Sequence, residues 1–309
     1  MKPLIVFRRS VAEREEIASA QRAELETADS LASARPDETV VGRYSVLPFY
    51  TEHARAVELL GGTLVNSVAQ HEYVADLTQW YDDLQDMTFE TWFSVADAPK
   101  DAGPFVLKGH TNSMRHRWKT HMFAPDWESA NKIEWELSND MLLSGQKTCV
   151  RKFEPLVRLG EQVTGMAISE EHRFFVLDSE ILCGGFYWAL YEEDIRAAGF
   201  SVPSPTSVPR EFLARAIERV GDKCRFYALD VARTAMNEWK VMELNDGQMS
   251  GLCGCDADAL YTGISRKLTK QRTTLYDPID DRCETCGRRT KDFMCKACIA
   301  REQMTRENR

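Results

Sequence analysis

No stretch of the 309-residue chain approaches the roughly 18 consecutive apolar residues that a membrane-spanning helix needs, so none is expected. The opening MKPLIVFRRS has too short an apolar segment and no small-residue cleavage site, so no signal peptide and a cytoplasmic location are expected. Both common glycine-rich phosphate loops, GxGxxG and GxxxxGK followed by Ser or Thr, are missing. Surplus positive charge is missing too: the net charge of −9 argues against a surface that coats nucleic acid. There are nine cysteines, an odd number, which without a secretory signal favours reduced thiols and metal binding over a disulfide framework. Hydrophobic residues at 43% and charged residues at 28% are ordinary for a globular protein. The length allows two domains, or one composite domain with a small appendage.

The order of patterns divides the chain. PLIVFR (3–8) reads as a strand, and Ser10 with Glu13 forms a capping-box pattern that opens a helix to about Glu26. The polar loop TADSLASARPDE leads to the strand TVVGRYSVLP, then to a helix near 51–60 closed by Gly61 and Gly62. TLVNS and a helix around 68–85 follow. Alternating strands and helices predict a small α/β domain with a parallel sheet over residues 1–90. Beyond it, GPFVLKG is a strand, DWESANKIEWELSNDMLL (126–143) a helix, and KTCVRKFEPLVRL, EHRFFVLDSEILCGGFYW, KCRFYALDVA and WKVMELN a succession of strands. PREFLARAIERVG (209–221) is a helix with Pro209 in its first turn, and a last helix covers about 256–270. Hairpins with inserted helices predict an antiparallel α+β region, placed at 91–275.

The final segment, 276–309, has too few large apolar side chains to fold unaided, but it carries Cys283-x2-Cys286-x8-Cys295-x2-Cys298. Two such knuckles supply four thiolates to one tetrahedral Zn²⁺, which would order so polar a segment. From Ser265 onward, 12 Lys/Arg face 7 Asp/Glu. The zinc segment then reads as a staple or docking module, or as a nucleic-acid contact through Arg288, Arg289 and Lys291.

WKVMELNDGQMSGL (239–252) ends a strand in acids and an amide. Glu243 and Asn245 are two residues apart and leave the same face. Asp230 precedes Glu243 by 13 residues, which places both on one face of a hairpin with an even loop. Three oxygen donors on one face suit Mg²⁺ with substrate phosphates. Lys108, ending its strand, and Arg173 in EHRFFVLD are cations suited to phosphate oxygens. Alone, each has a plain structural explanation as a turn former, a solvated end or a surface pair. Asp246, offset by one, is expected to point away as a turn former with Gly247. Cys253 and Cys255 have no companion base and read as buried small hydrophobes.

The order FVLKG, CVRKFEPL, EHRFFVLD, YALDVA and VMELN, with TWFS at 91–94, resembles the ATP-grasp superfamily, nearest to its R2K clade, over about residues 88–270. The α/β segment before it is similar to the domain that usually precedes such a core. The resemblance implies a two-subdomain fold with an antiparallel sheet, an ATP and Mg²⁺ requirement, and an ADP-forming ligase that activates a carboxylate as acyl phosphate for an amine. It implies that Lys108 contacts ATP phosphates and that Arg173 meets the terminal one. Asp230, Glu243 and Asn245 would hold Mg²⁺. The segment 151–156 would be a hinge, with Arg151, Phe153, Glu154 and Leu156 at the nucleotide and Glu154 facing it. Two departures stand out. Lys100 in ADAPKDAG is a poor match for an earlier lysine, and the flexible loop is GHTNSMRHRWKTHMFA. Lys119 or Arg117 is expected to supply the missing cation in a basic lid. His110, His116 and His121 are spaced too irregularly for a compact metal site.

Three functions follow. The first is a carboxylate–amine ligase acting on a small molecule or peptide. The second is an ATP-dependent kinase or nucleic-acid-modifying enzyme using the same cleft. The third is a zinc-stabilised binding module whose nucleotide site has decayed.

Overall fold

The first strand of the protein, β1 (Leu4–Phe7), is buried at every residue, as a parallel strand covered on both faces must be. Its computed structural model describes residues 1–8, 12–141, 143–161 and 165–269, so Ser10 and the zinc segment lie outside the described residues. After β1 come α1 (Arg14–Arg22), β2 (Glu26–Ala28), β3 (Thr39–Arg43), α2 (Tyr50–Leu59) and β4 (Thr63–Leu64). The strands form a parallel sheet in the order β2-β1-β3-β4. Alternation splits β1 between two cores. Leu4 and Val6 pack with Val57 of α2, while Ile5 and Phe7 meet side chains from the C-terminal half.

Two helices differ from expectation. The first ends at Arg22 rather than near Glu26, because Glu24 adopts the left-handed conformation (φ 56°) and turns the chain into β2. The helix expected over 68–85 is two, α3 (Val68–Ala75) and α4 (Leu77–Leu84). Asp76 between them is extended, and its carboxylate caps the second by accepting from the Thr78 amide at 2.8 Å.

A second sheet, in the order β5-β8-β6-β7, contains β5 (Thr91–Trp92), β6 (Phe105–Gly109), β7 (Phe123–Ala124) and β8 (Thr148–Lys152). Helix α5 (Trp127–Ser138) covers one face, capped by Asp126. Phe105 and Leu107 point into that core with Ala130 and Ile133. Val106 and Lys108 therefore face the other way, into a cleft.

The hairpin of β9 (Arg158–Glu161) and β10 (Ala167–Ser169) leads to the third sheet. Its strands are β11 (Glu171–Leu177), β12 (Glu180–Phe186), β13 (Phe226–Arg233) and β14 (Trp239–Asp246), antiparallel in the order β12-β11-β13-β14. Helices α6 (Glu192–Ala197) and α7 (Arg210–Val220) lie between β12 and β13, with Pro209 capping α7 rather than within its first turn. Phe174, Val176, Leu229 and Leu244 pack under α4 and α7. Phe175, Phe226 and Ala228 pack on the other face with β1 and with Leu260 and Ile264 of α8 (Ala257–Leu268). Residues 2–269 form one compact unit, in which 2–90 and 91–269 pack together. No helix among the described residues is long and apolar enough to cross a membrane.

Candidate active site

The third sheet carries a polar row at one end of an otherwise apolar face. Arg173 on β11 is paired in register with Asp230 on β13, and Asp230 in turn with Glu243 on β14. Opposite residues on neighbouring strands share a face, and Phe175 and Ala228 on that face are core. Asn245 is two residues further along the same strand. The facing of Asp230 and Glu243 rests on a register slip rather than on the even loop expected, because the ladder closes at Arg233 and Trp239 across an odd loop (234–238). Between Asp230 and Val231 the register slips, leaving Met242 without a partner opposite it. This bulge sits at the site itself. The Met242 carbonyl accepts from Arg151 Nη1 at 2.7 Å, and its side chain lines the cleft.

Charge within the row is balanced pairwise. Arg173 donates to both Asp230 oxygens at 2.7 Å and to the Gly251 carbonyl at 2.9 Å. Lys108 reaches across from β6 to hydrogen-bond Glu243, and Arg115 stands 3.5 Å from the other oxygen of that carboxylate. Burial alone would raise the Glu243 pKa, but Lys108 and Arg115 outweigh it and lower it to about 2. Burial likewise opposes the Arg173 charge, and Asp230 more than compensates, so its pKa is raised well above the usual value.

Two clefts meet at this row and share Ser113, Arg115 and Glu243. The first runs from Lys108 and Glu243 between Val106, Met166 and Met242 to Phe153, Glu154 and Leu156. It therefore unites the expected hinge with an expected phosphate cation. Arg151 also lines it but is braced: its Nη2 donates to Thr88 Oγ1 at 2.5 Å, its guanidinium lies 5.0 Å from the Phe89 ring centre, and burial lowers its pKa to about 10. Phe153 packs edge-on against Phe123, and Glu154 accepts from Lys240 Nζ at 3.4 Å. The second cleft is more polar and joins Arg173, Glu243 and Asn245 to Ser45 and His71 of the N-terminal layer.

Other expected residues lie elsewhere. Lys119 and Arg117 line a separate groove with His121 and Lys132. The cation that enters both clefts from the basic loop is Arg115, which no sequence signal distinguished from its neighbours. Lys100 lies 4.6 Å from the Trp127 ring centre, a packing role. His110 Nδ1 accepts from the Lys147 amide at 2.9 Å, and His121 Nε2 is 3.1 Å from Arg117. Among the described residues no three His, Cys, Asp or Glu side chains converge as a metal-ligand group, and the third oxygen of the expected Mg²⁺ set is the Asn245 amide. Cys255 is buried as expected and donates to the Arg173 carbonyl at 3.3 Å, whereas Cys253 is exposed with φ 54°.

Several site residues escaped sequence reasoning. Tyr187 has the guanidinium groups of Arg115 and Arg173 at 5.1 and 5.0 Å from its ring centre. Glu171 lines the first cleft as a buried carboxylate, its pKa raised by burial, accepting from Ser169 Oγ and from Trp188 Nε1 at 3.0 Å. Asp246 is offset from Asn245 as expected, but it is no mere turn former. It is buried and accepts from Asn66 Nδ2 at 3.1 Å, the Gln248 amide at 2.8 Å and His71 Nδ1 at 3.0 Å.

A family model described as "ATP-grasp domain, R2K clade family 3" matches residues 96–264. No curated protein matches the chain. Among solved structures, a RimK domain ATP-grasp protein from Sphaerobacter thermophilus is 15% identical, with 86% of this chain and 100% of that one covered at a TM-score of 0.56. D-cycloserine synthetase DcsG is 12% identical over 86% and 99% of the two chains, at a TM-score of 0.57. The ATP-grasp ligase PsnB, complexed with a phosphomimetic variant of its minimal precursor, Mg and ADP, is 13% identical over 85% and 96%, at a TM-score of 0.51. At these identities the likeness is one of fold.

Proposed function

Since the chain belongs to family 3 of the R2K clade of ATP-grasp domains, we propose that it is an ATP-dependent, ADP-forming ligase that joins a carboxylate to an amine. The observation that carries this reading is the Arg173–Asp230–Glu243 row, met by Lys108 at the mouth of an apolar cleft. The adenine lies between the apolar walls near Phe153 and Leu156, and the phosphates extend toward Lys108, Arg115 and Arg173.

Asp230, Glu243 and Asn245 offer two carboxylates and an amide oxygen on one face, a hard-oxygen set that fits Mg²⁺. These three residues would hold the ion, which when bound supplies charge neutralisation at the phosphate oxygens. Without nucleotide, Lys108, Arg115 and Arg173 serve the carboxylates instead. With nucleotide the same cations turn to the transferring phosphoryl group.

A substrate carboxylate oxygen then attacks the γ-phosphorus, and ADP leaves with the electrons of the broken P–O bond. The three cations stabilise the charge developing on the phosphoryl oxygens. The apolar walls limit water in the first cleft. The acyl phosphate presents its carbonyl carbon to the second cleft, where the amine attacks. That cleft, polar and bounded by the N-terminal layer, suits a small polar molecule or a peptide end. PsnB was solved with a precursor and DcsG is a synthetase of a small molecule, so both substrate classes occur on this fold.

The test supplies ATP, Mg²⁺ and paired acids and amines, with ¹⁸O in the acid. ADP release with ¹⁸O in free phosphate is the expected result. Labelled phosphate retained on the product would indicate a kinase instead, and ATP turnover confined to nucleic-acid substrates the nucleic-acid-modifying alternative.

A further inference from the structure

The second cleft contains a histidine whose surroundings fix its tautomer. His71 of α3 donates through Nδ1 to Asp246 Oδ2 at 3.0 Å. Its ring lies parallel to that of Tyr50, with centres 3.8 Å apart and an interplanar angle of 3°. The Tyr50 hydroxyl is tied to the Asn66 carbonyl at 2.9 Å and to Gln248 Nε2 at 2.8 Å, so the stacking partner is itself fixed. Asp246 also accepts from the Asn66 amide and the Gln248 backbone N–H, so all its described partners are donors. The carboxylate acts as acceptor toward the ring as well, which places the shared hydrogen on Nδ1. The other nitrogen, Nε2, then carries a lone pair and makes no hydrogen bond to any described residue. His71 lines the cleft together with Arg173, Glu243 and Asn245. A carboxylate that orients an imidazole by its Nδ1–H is the arrangement that readies Nε2 to take a proton.

Resting on the ligase reading, we propose that His71 is the general base for the incoming amine, with Asp246 as its positioning residue. An alkylamine reaches the cleft protonated and cannot attack in that form. One proton passes from the ammonium nitrogen to His71 Nε2. The freed lone pair forms the C–N bond to the acyl carbon while the C–O bond to phosphate breaks. Phosphate leaves with that electron pair and accepts the second nitrogen proton. The assignment narrows the second substrate to a primary or secondary amine that enters from the side of the N-terminal layer.

The experiment uses the full chain in two arms. In the first, histidine ¹⁵N signals are recorded, with His71→Gln identifying the His71 pair. A protonated Nδ1 and an unprotonated Nε2 are expected, with Asp246→Asn eroding that preference. A protonated Nε2 in the unsubstituted protein would overturn the proposal whether or not any variant folds. In the second arm, the standard amino acids are offered as carboxylates with ATP and Mg²⁺, and either hydroxylamine or ethylamine is the nucleophile. Hydroxylamine is largely unprotonated near neutrality and needs no base; ethylamine is largely protonated. His71→Gln is expected to slow amide formation about 100-fold more than hydroxamate formation. Equal slowing of both products, or of neither, would overturn the assignment. Absence of hydroxamate from the unsubstituted protein would instead overturn the ligase reading, and the inference with it.

Discussion

Arg173 and Asp230 face each other in register on neighbouring strands and share two hydrogen bonds of 2.7 Å. Both are almost wholly buried, at 6% and 1% exposure. Removing one charge from such a pair strands the other. Asp230→Asn is therefore expected to cost about 3–5 kcal/mol of stability and to abolish Mg²⁺-dependent turnover. Arg173→Lys keeps the charge but loses the planar fork, so it rescues neither fully. Urea denaturation and ADP release check both effects.

Acid should destabilise the protein in two overlapping steps. His172 is fully buried, burial lowers its pKa from 6.5 to about 4, and its Nδ1 has no hydrogen-bond partner. The unfolded chain thus binds more protons than the folded one between those values, and stability falls as pH drops through that window. Glu243, lowered from 4.5 to about 2, extends the loss further down. Each contributes at most about 3 kcal/mol. His172→Gln is expected to flatten the pH 6.5–4 portion of a stability profile measured by denaturant titration, leaving the lower portion intact.

The cation entering the first cleft from the basic loop is Arg115, whereas Lys119 lines a separate groove. Arg115→Ala is expected to weaken binding of an ATP analogue at least about tenfold, the loss of one charge-assisted contact. Lys119→Ala should leave that affinity nearly unchanged. Calorimetric titration of the two variants side by side decides between them.

Gly185 lies opposite Arg173 in the strand register, and a Cβ there would collide with the backbone of Gly254 and Cys255. The loop it would displace includes the Gly251 carbonyl that Arg173 holds. Gly185→Ala is expected to destabilise the fold by about 2 kcal/mol or more and to lower turnover with it. Thermal unfolding, read together with ADP release, checks the coupling.

What the sequence disclosed follows from period and register. Strands β6, β11, β13 and β14 were legible because their apolar residues alternate or run continuously, and the same alternation put Glu243 and Asn245 on one face. The end of α1 and the break at Asp76 were not legible, since each depends on the conformation of a single residue that composition does not announce. Nor was the bulge at Met242, which changes register without changing pattern. Arg115 was hidden among the three Lys/Arg residues of one loop, with Arg117 and Lys119, and their selection depends on loop path. The His71–Asp246 pair joins residues 175 apart in sequence, and only the packing of α3 on β14 brings them together. The four-cysteine motif is as plain in sequence as any of these, yet it falls outside the described residues.

Titration of a non-hydrolysable ATP analogue into the protein with Mg²⁺, followed by calorimetry, tests the nucleotide cleft most directly. Saturable 1:1 binding is expected, requiring Mg²⁺ and lost in both Lys108→Ala and Glu243→Gln. No binding to the unsubstituted protein, or undiminished affinity in both variants, would contradict the assignment of the row to ATP.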